Sequence, residues 1–151
     1  AVGCADLSAA FVWLGDGDLR DELLIAGKLP AKLQVAGWQA RAGVYESLAK
    51  ADVFVLASLW EGMPLALIEA QAAGLPAVVS DVVGNRDVVI DGVTGFDCKT
   101  DAELLEKTRR LIEDADLRHR MGQAAREMAA VRFSVTRMHR EMMAVYNGLG
   151  H

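Results

Sequence analysis

The sequence predicts an α/β domain: a parallel sheet with helices on both faces, followed by C-terminal helices. Three observations lead there. Short apolar runs alternate with helical patterns from Ala10 to Asp97. The run Ala77-Val78-Val79-Ser80 is continuous in its apolar character, as expected of a parallel strand covered on both sides. From Asp101 the pattern stays helical.

Size and composition narrow the classes. At 151 residues and 52% apolar content, the chain has enough material for one full core. No apolar run reaches the ~18 residues of a membrane span, and no signal-peptide pattern opens the sequence. The net charge of −5 gives no reason to expect nucleic acid, which calls for a basic patch. Cys4 and Cys98 stand alone without metal-ligand spacing and are expected to be free thiols of a cytoplasmic protein. His119, His139 and His151 show no ligand spacing either, so no metal residue is assigned.

Ala10 to Leu14 reads as a strand, Gly15-Asp16-Gly17 as a turn, and Asp18 to Ala26 as helical, with Leu19, Leu23 and Leu24 on one side. Gly15-x-Gly17-x-x-Arg20 imitates a dinucleotide fingerprint, but its third position should be Gly for close helix–strand packing. A plain strand-to-helix turn accounts for it. After a loop at Gly27 to Ala31, Lys32 to Ala36 reads as a second strand. Gly37-Trp38-Gln39 leaves its carboxyl end, where open parallel sheets bind ligands. Trp38 is either a packing residue or part of such a site. Arg41 is either solvated or close enough to offset phosphate charge. Val44 to Ala51 makes a short amphipathic helix, with Val44, Leu48 and Ala51 at helical spacing.

The chain is organised around the next stretch. Val53 to Ala57 reads as a buried strand, followed by Leu59-Trp60-Glu61-Gly62-Met63-Pro64-Leu65. Pro64 suits a helix start, because its missing N–H would be unbonded there anyway. The free amides of Met63, Leu65 and Ala66 then form an anion site, and Gly62 permits close backbone approach. The helix runs to Ala73 and ends at Gly74-Leu75-Pro76. Glu69 falls between Leu65, Ile68, Ala72 and Ala73, the face expected to be buried, where a carboxylate needs a partner. It lies about 7.5 Å along the axis from Pro64, a spacing that suits a diphosphate at the helix start and a ribose hydroxyl on Glu69. The alternative is a Glu pointing out through a gap in the sheet.

Asp81 to Asp87 reads as a loop into a short helix through Ile90; Asn85 and Arg86 either line a cleft or are solvated. Asp91-Gly92 turns the chain into a last strand, Thr94 to Asp97. Three helices follow: Asp101 to Ile112, Ala115 to Val131, and Thr136 to Leu149. Met138, Met142, Val145, Tyr146 and Leu149 form a stripe on the last, for which core packing is the default.

The setting Glu61-Gly62-x-Pro64-Leu65-x-x-x-Glu69 resembles the nucleotide-sugar-dependent glycosyltransferases of the two-domain GT-B architecture, family four, also called group 1. The resemblance continues through Ala73-Gly74-Leu75-Pro76-Ala77-Val78-Val79-Ser80-Asp81 and Asp91-Gly92-Val93-Thr94-Gly95, and covers nearly the whole chain. It implies a Rossmann-like C-terminal domain that binds a nucleotide diphosphate sugar, UDP- or GDP-linked, with no separate cofactor. Backbone at Gln39 would contact the base. Gly62, Met63, Pro64 and Leu65 would hold the diphosphate, Glu69 the ribose, and Glu61 would be the catalytic-side carboxylate at the sugar.

Members of that family begin this domain with a central strand and a loop whose Arg and Lys clamp the diphosphate. Neither is in this sequence, so residues 1–151 are expected to be a single nucleotide-sugar-binding domain that is incomplete at its N-terminus and inactive alone. They would be completed by an N-terminal acceptor domain. Val83-Gly84 and Asp87 also depart from the family's usual Gly-Gly and Glu. The resemblance implies retention of anomeric configuration, a role in polysaccharide biosynthesis, and a cytoplasmic enzyme with room for peripheral association at the inner membrane surface. Its last helix would cross back to the other domain. Two other classes stay open: a non-catalytic nucleotide-binding or assembly module, and an NAD-dependent oxidoreductase, which Arg20 disfavours.

Overall fold

The computed structural model describes residues 7–18 and 32–148. The element order is β1 (Phe11–Leu14), β2 (Leu33–Gly37), α1 (Arg41–Lys50), β3 (Phe54–Leu56), α2 (Leu65–Ala72), β4 (Ala77–Ser80), α3 (Val83–Arg86), β5 (Gly95–Cys98), α4 (Asp101–Glu113), α5 (Ala115–Arg132) and α6 (Val135–Gly148). The helix expected after Asp18 lies outside the described residues, as do Cys4, Arg20 and Leu149.

Every strand pairing among the described residues is parallel, as expected, but the ladder is in two pieces. β1 pairs with β2, and β3-β4-β5 form a separate three-stranded sheet. β4 is central there, with Ala77 opposite Phe54 on one side and Gly95 on the other. Its alternation divides the core. Ala77 and Val79 face Leu67, Val88 and Val89. Val78 faces Phe96, Leu111 and Met121. Coverage on both faces therefore holds at β4. It fails at β3, where Val55 is exposed, and at β1, where Val12 and Trp13 are exposed.

Helix ends follow local chemistry. The Thr100 hydroxyl accepts from the Glu103 amide and the Asp114 carboxylate from the Leu117 amide, capping α4 and α5. α2 ends in a Schellman motif. Gly74 has φ +88°, its amide donates to the Gln71 carbonyl, and the Leu75 amide donates to that of Ala70. Gly122 of α5 packs on this terminus so closely that a Cβ there would lie 2.3 Å from the Gly74 carbonyl oxygen.

Three expectations need correction. The buried side of α2 is Leu67, Ala70 and Gln71, not the face carrying Glu69; Leu65 is 67% exposed and Ala72 and Ala73 are also open. The Gln71 amide draws that side inward by donating to Thr94 Oγ1 (3.1 Å). The helix after Asp81 ends at Arg86 rather than Ile90, and a turn follows in which the Val88 amide donates to the Asn85 carbonyl three residues back. Finally, α6 buries none of its residues, so its Met and Tyr stripe packs into no core of the described residues.

Candidate functional site

The site is built where the carboxyl ends of β3 and β4 meet the start of α2. At β4's end, the Ser80 hydroxyl donates to the Ser58 carbonyl, tying the segment after β3 to β4. The Ser58 hydroxyl in turn donates to Glu61 Oε1 (2.7 Å) and fixes that half-buried carboxylate. The next turn is clamped from the other side. The Gly84 amide donates to the Glu61 carbonyl (3.3 Å). A Cβ on Gly84 would lie 2.6 Å from the Gly62 carbonyl oxygen and 2.7 Å from that of Glu61, so only a glycine lets α3 approach this turn. Asn85 is buried, and its amide donates to the Ser80 carbonyl (2.9 Å). It supports the turn from behind and does not line a cleft.

Pro64 sits at the N-cap of α2, with Leu65 the first helical residue. The Leu67 and Ile68 amides both donate to the Pro64 carbonyl. Among the described residues, the amides of Met63, Leu65 and Ala66 donate to no protein acceptor. Met63 and Leu65 are exposed and Pro64 is buried, which anchors the helix start while its amides stay open. Glu61 stands beside this positive helix end, a favourable place for a carboxylate.

Glu69 lies on the open side of α2, half-buried. There α1 and α2 enclose an open cavity of about 420 Å³, lined by Tyr45, Leu48, Ala49, Glu69, Ala72 and Ala73. Neither earlier picture of Glu69 holds: it is not sunk into the core, and it does not point through the sheet. It faces a cavity beside Tyr45, whose hydroxyl lies 3.5 Å from its Oε1.

Gln39 leaves the carboxyl end of β2 and precedes α1. Its side-chain amide donates to the Ala36 carbonyl (2.8 Å), so the side chain is held by its own turn. Trp38 is 75% exposed and packs into no core. Arg41 is not simply solvated: its Nε donates to the Tyr45 hydroxyl, and its guanidinium lies 5.3 Å from the ring centre. Arg86 pairs with Asp81 (2.9 Å).

The fold thus brings Glu61, Gly62, Met63, Pro64 and Leu65 together at one helix end, with Glu69 about 7.5 Å further along the axis. Sequence reasoning passed over Ser58, Ser80 and Tyr45. A serine directly beyond an apolar strand is a usable signal for the first two. Nothing in the sequence pointed to Tyr45. Among the described residues, no three His, Cys, Asp or Glu side chains converge to hold a metal ion, and no helix is long and apolar enough to cross a membrane.

Comparison with known proteins bears on this arrangement. The family model described as glycosyl transferases group 1 matches residues 8–128. The chain is 44% identical over 92 residues to the Escherichia coli UDP-Gal:alpha-D-GlcNAc-diphosphoundecaprenol alpha-1,3-galactosyltransferase, covering 58% of this chain and 23% of that protein. It is 31% identical over 143 residues to the putative glycosyltransferase EpsD of Bacillus subtilis, covering 93% of this chain and 37% of the relative. The chain therefore spans well under half the length of these relatives.

Among solved structures, Anabaena Alr3699/HepE in complex with UDP superposes with a TM-score of 0.83 at 20% identity, over 97% of this chain and 43% of that one. A mutant of Staphylococcus aureus TarM, crystallised with Fondaparinux, alpha-GlcNAc-glycerol and UDP, gives 0.82 at 22% identity, over 97% of this chain and 30% of that one. With the family model matching from residue 8 to 128 and a shared fold along nearly the whole chain, this chain belongs to the group 1 glycosyl transferases and has the α/β fold of their GT-B members.

Proposed function

We propose that this chain is the donor-binding half of a retaining glycosyltransferase, of hexosyltransferase type, that moves a sugar from a UDP- or GDP-linked donor to an acceptor held by another domain. The observation that carries this reading is the open N-terminus of α2, flanked by Glu61 on one side and Glu69 on the other. The amides of Met63, Leu65 and Ala66 take the diphosphate, and Gly62 leaves room for it against the backbone. As the glycosidic bond breaks, negative charge gathers on that leaving group. A fixed donor aimed at such charge contributes about 2.7–4 kcal/mol in comparable sites. Glu69 accepts from the ribose hydroxyls in charge-assisted hydrogen bonds. Glu61, oriented by Ser58, meets the sugar. Gln39 offers main-chain groups to the base, since its side chain is already engaged. The solved UDP complexes of the same fold support a nucleotide donor.

The test is calorimetric titration of the complete gene product with uridine, guanosine and adenosine diphosphates, repeated with Glu69→Ala. Binding in the micromolar to millimolar range that Glu69→Ala abolishes is expected, with the base named by the tightest ligand. Equal binding by the variant sinks the ribose role. Nucleotide binding without transfer from any nucleotide sugar would make the chain part of a non-catalytic module.

A further inference from the structure

We propose that Tyr45 is a positioning residue for the ribose site: its hydroxyl, held by Arg41, orients the Glu69 carboxylate toward the cavity between α1 and α2. This deepens the reading above and rests on Glu69 holding the ribose.

Among the described residues the Glu69 carboxylate has one hydrogen-bond partner, the Tyr45 hydroxyl 3.5 Å from Oε1. That distance is at the outer limit for O–H···O, so the contact is weak and leaves the carboxylate unsaturated. The second oxygen, and the remaining lone pairs of the first, stay available for ligand hydroxyls. A glutamate with three free torsions on the open side of a helix would otherwise sample many rotamers, and each must be given up when a ligand binds.

Tyr45 can steer because it is itself fixed. Arg41, one turn earlier in α1, donates from Nε to the phenolic oxygen at 2.5 Å and lies over the ring. With its oxygen accepting from a cation, the phenol must point its own proton elsewhere, and that donor is strengthened by polarisation. The carboxylate of Glu69 is the acceptor in reach. The three groups therefore form one relay, Arg41 to Tyr45 to Glu69, spanning two helices. Tyr45 also walls the cavity that Glu69 faces.

The test measures affinity of the complete gene product for uridine diphosphate and for 2′,3′-dideoxyuridine diphosphate; the guanosine pair replaces them if guanosine diphosphate binds more tightly. Tyr45→Phe keeps the ring over Arg41 and removes only the hydroxyl. The expected result is a loss of about three- to tenfold in affinity for the ribose nucleotide, the scale of an ordinary hydrogen bond and below that of a short one to a charged group, with the dideoxy affinity unchanged. Equal weakening of both nucleotides, or of neither, overturns the proposal, because a merely structural tyrosine does not distinguish a hydroxylated sugar from a bare one. Glu69→Gln serves as the reference. If it erases the ribose preference while Tyr45→Phe does not, the proposal fails and the Glu69 reading stands. If Glu69→Gln leaves the preference intact, or the intact protein binds neither nucleotide, the Glu69 reading fails and takes the proposal with it.

Discussion

Replacing Gly84 by alanine sets two effects of opposite sign against each other, and the structure decides between them. Gly84 is a helical residue without positive φ, so on propensity alone alanine should stabilise α3 by up to about 1 kcal/mol. The added methyl, however, would stand 2.6 Å from the Gly62 carbonyl oxygen and 2.7 Å from that of Glu61. Both are backbone atoms of a turn tied to β4 through Ser58 and Ser80, so neither can swing aside as a flexible side chain would. Overpacking of this kind costs about 1–3 kcal/mol. Moving α3 away would also stretch the Gly84 amide bond to Glu61, worth about 0.5–1.5 kcal/mol. The net is a destabilisation of about 1–3 kcal/mol, which lowers a urea midpoint by on the order of 1 M. The same movement displaces Glu61 and the open amides of α2, so nucleotide affinity should fall with stability. Urea denaturation followed by circular dichroism, with calorimetric titration of the complete gene product, reads both. Gly122→Ala is the parallel case away from Glu61: its methyl would meet the Gly74 carbonyl oxygen at 2.3 Å, so it should destabilise comparably and spare binding in the protein that still folds. A Gly84→Ala protein as stable as wild type or more so, with unchanged affinity, would refute the claim that this glycine sets the approach of α3 to the turn.

Thr94→Val should cost about 2–4 kcal/mol in urea denaturation, because the fully buried Thr94 Oγ1 accepts from both the Ile90 amide and the Gln71 side chain, and each would be left as an unpaired buried donor. Asp97→Asn should stabilise the protein at neutral pH. Burial raises the carboxyl of Asp97, and the neighbouring Asp81 and Asp91 raise it further against the opposing pull of Arg86. With the folded value above the unfolded one, the native state loses stability as pH rises through that raised value. The gap between variant and wild type should therefore be small below the ordinary aspartate range and widen upward, and a gap that shrinks with pH would contradict this. In a Cys4→Ser background, Cys98 should resist alkylation at pH 8 until denaturant is added, since burial pushes its thiol up to about 11 and leaves a thiolate fraction of about 10⁻³.

How much of this was readable from residues depends on whether a pattern names its own partner. The strand Ala77 to Ser80 was legible to the residue, because an unbroken apolar run with Pro76 before it and Asp81 after it has few other uses. The stop at Gly74 was legible for the same kind of reason: the left-handed φ it adopts is one that glycine takes at no steric cost. The stripe of α6 was legible only as a stripe. Met138, Met142, Val145 and Tyr146 share a face, but amphipathicity says that a face favours cover and not what covers it, and in the described residues nothing does. The importance of Gly84 was invisible, because the carbonyls it must pass belong to Glu61 and Gly62, more than twenty positions earlier in the chain.

Glu69 shows why the site was half legible. Its spacing from Pro64 is a property of one helix and carries over unchanged from sequence to structure. Which side of that helix turns inward is a property of the helix and its neighbours together. From Leu65 to Ala73 nearly every residue is apolar, so periodicity distinguishes no face, and placing the carboxylate inward followed from counting apolar residues around it. The choice is made instead by fit. Leu67 packs against β4, and Ala70 joins Leu48 of α1 and Leu75 in a second cluster. Gln71 finds Thr94 from across the core. The Gln71 amide keeps one bond through Nε2 and leaves Oε1 buried without a partner, at about 1–3 kcal/mol, whereas a buried carboxylate without a cation costs several kcal/mol, roughly what one ion loses on leaving water. Of the two polar residues on α2, the neutral one with a partner goes in and the charged one stays at the cavity. The inversion strengthens the functional reading that the sequence had reached by a different route. A ribose-binding carboxylate must be reachable, and the packing that excludes Glu69 from the core is the same packing that opens it to a ligand.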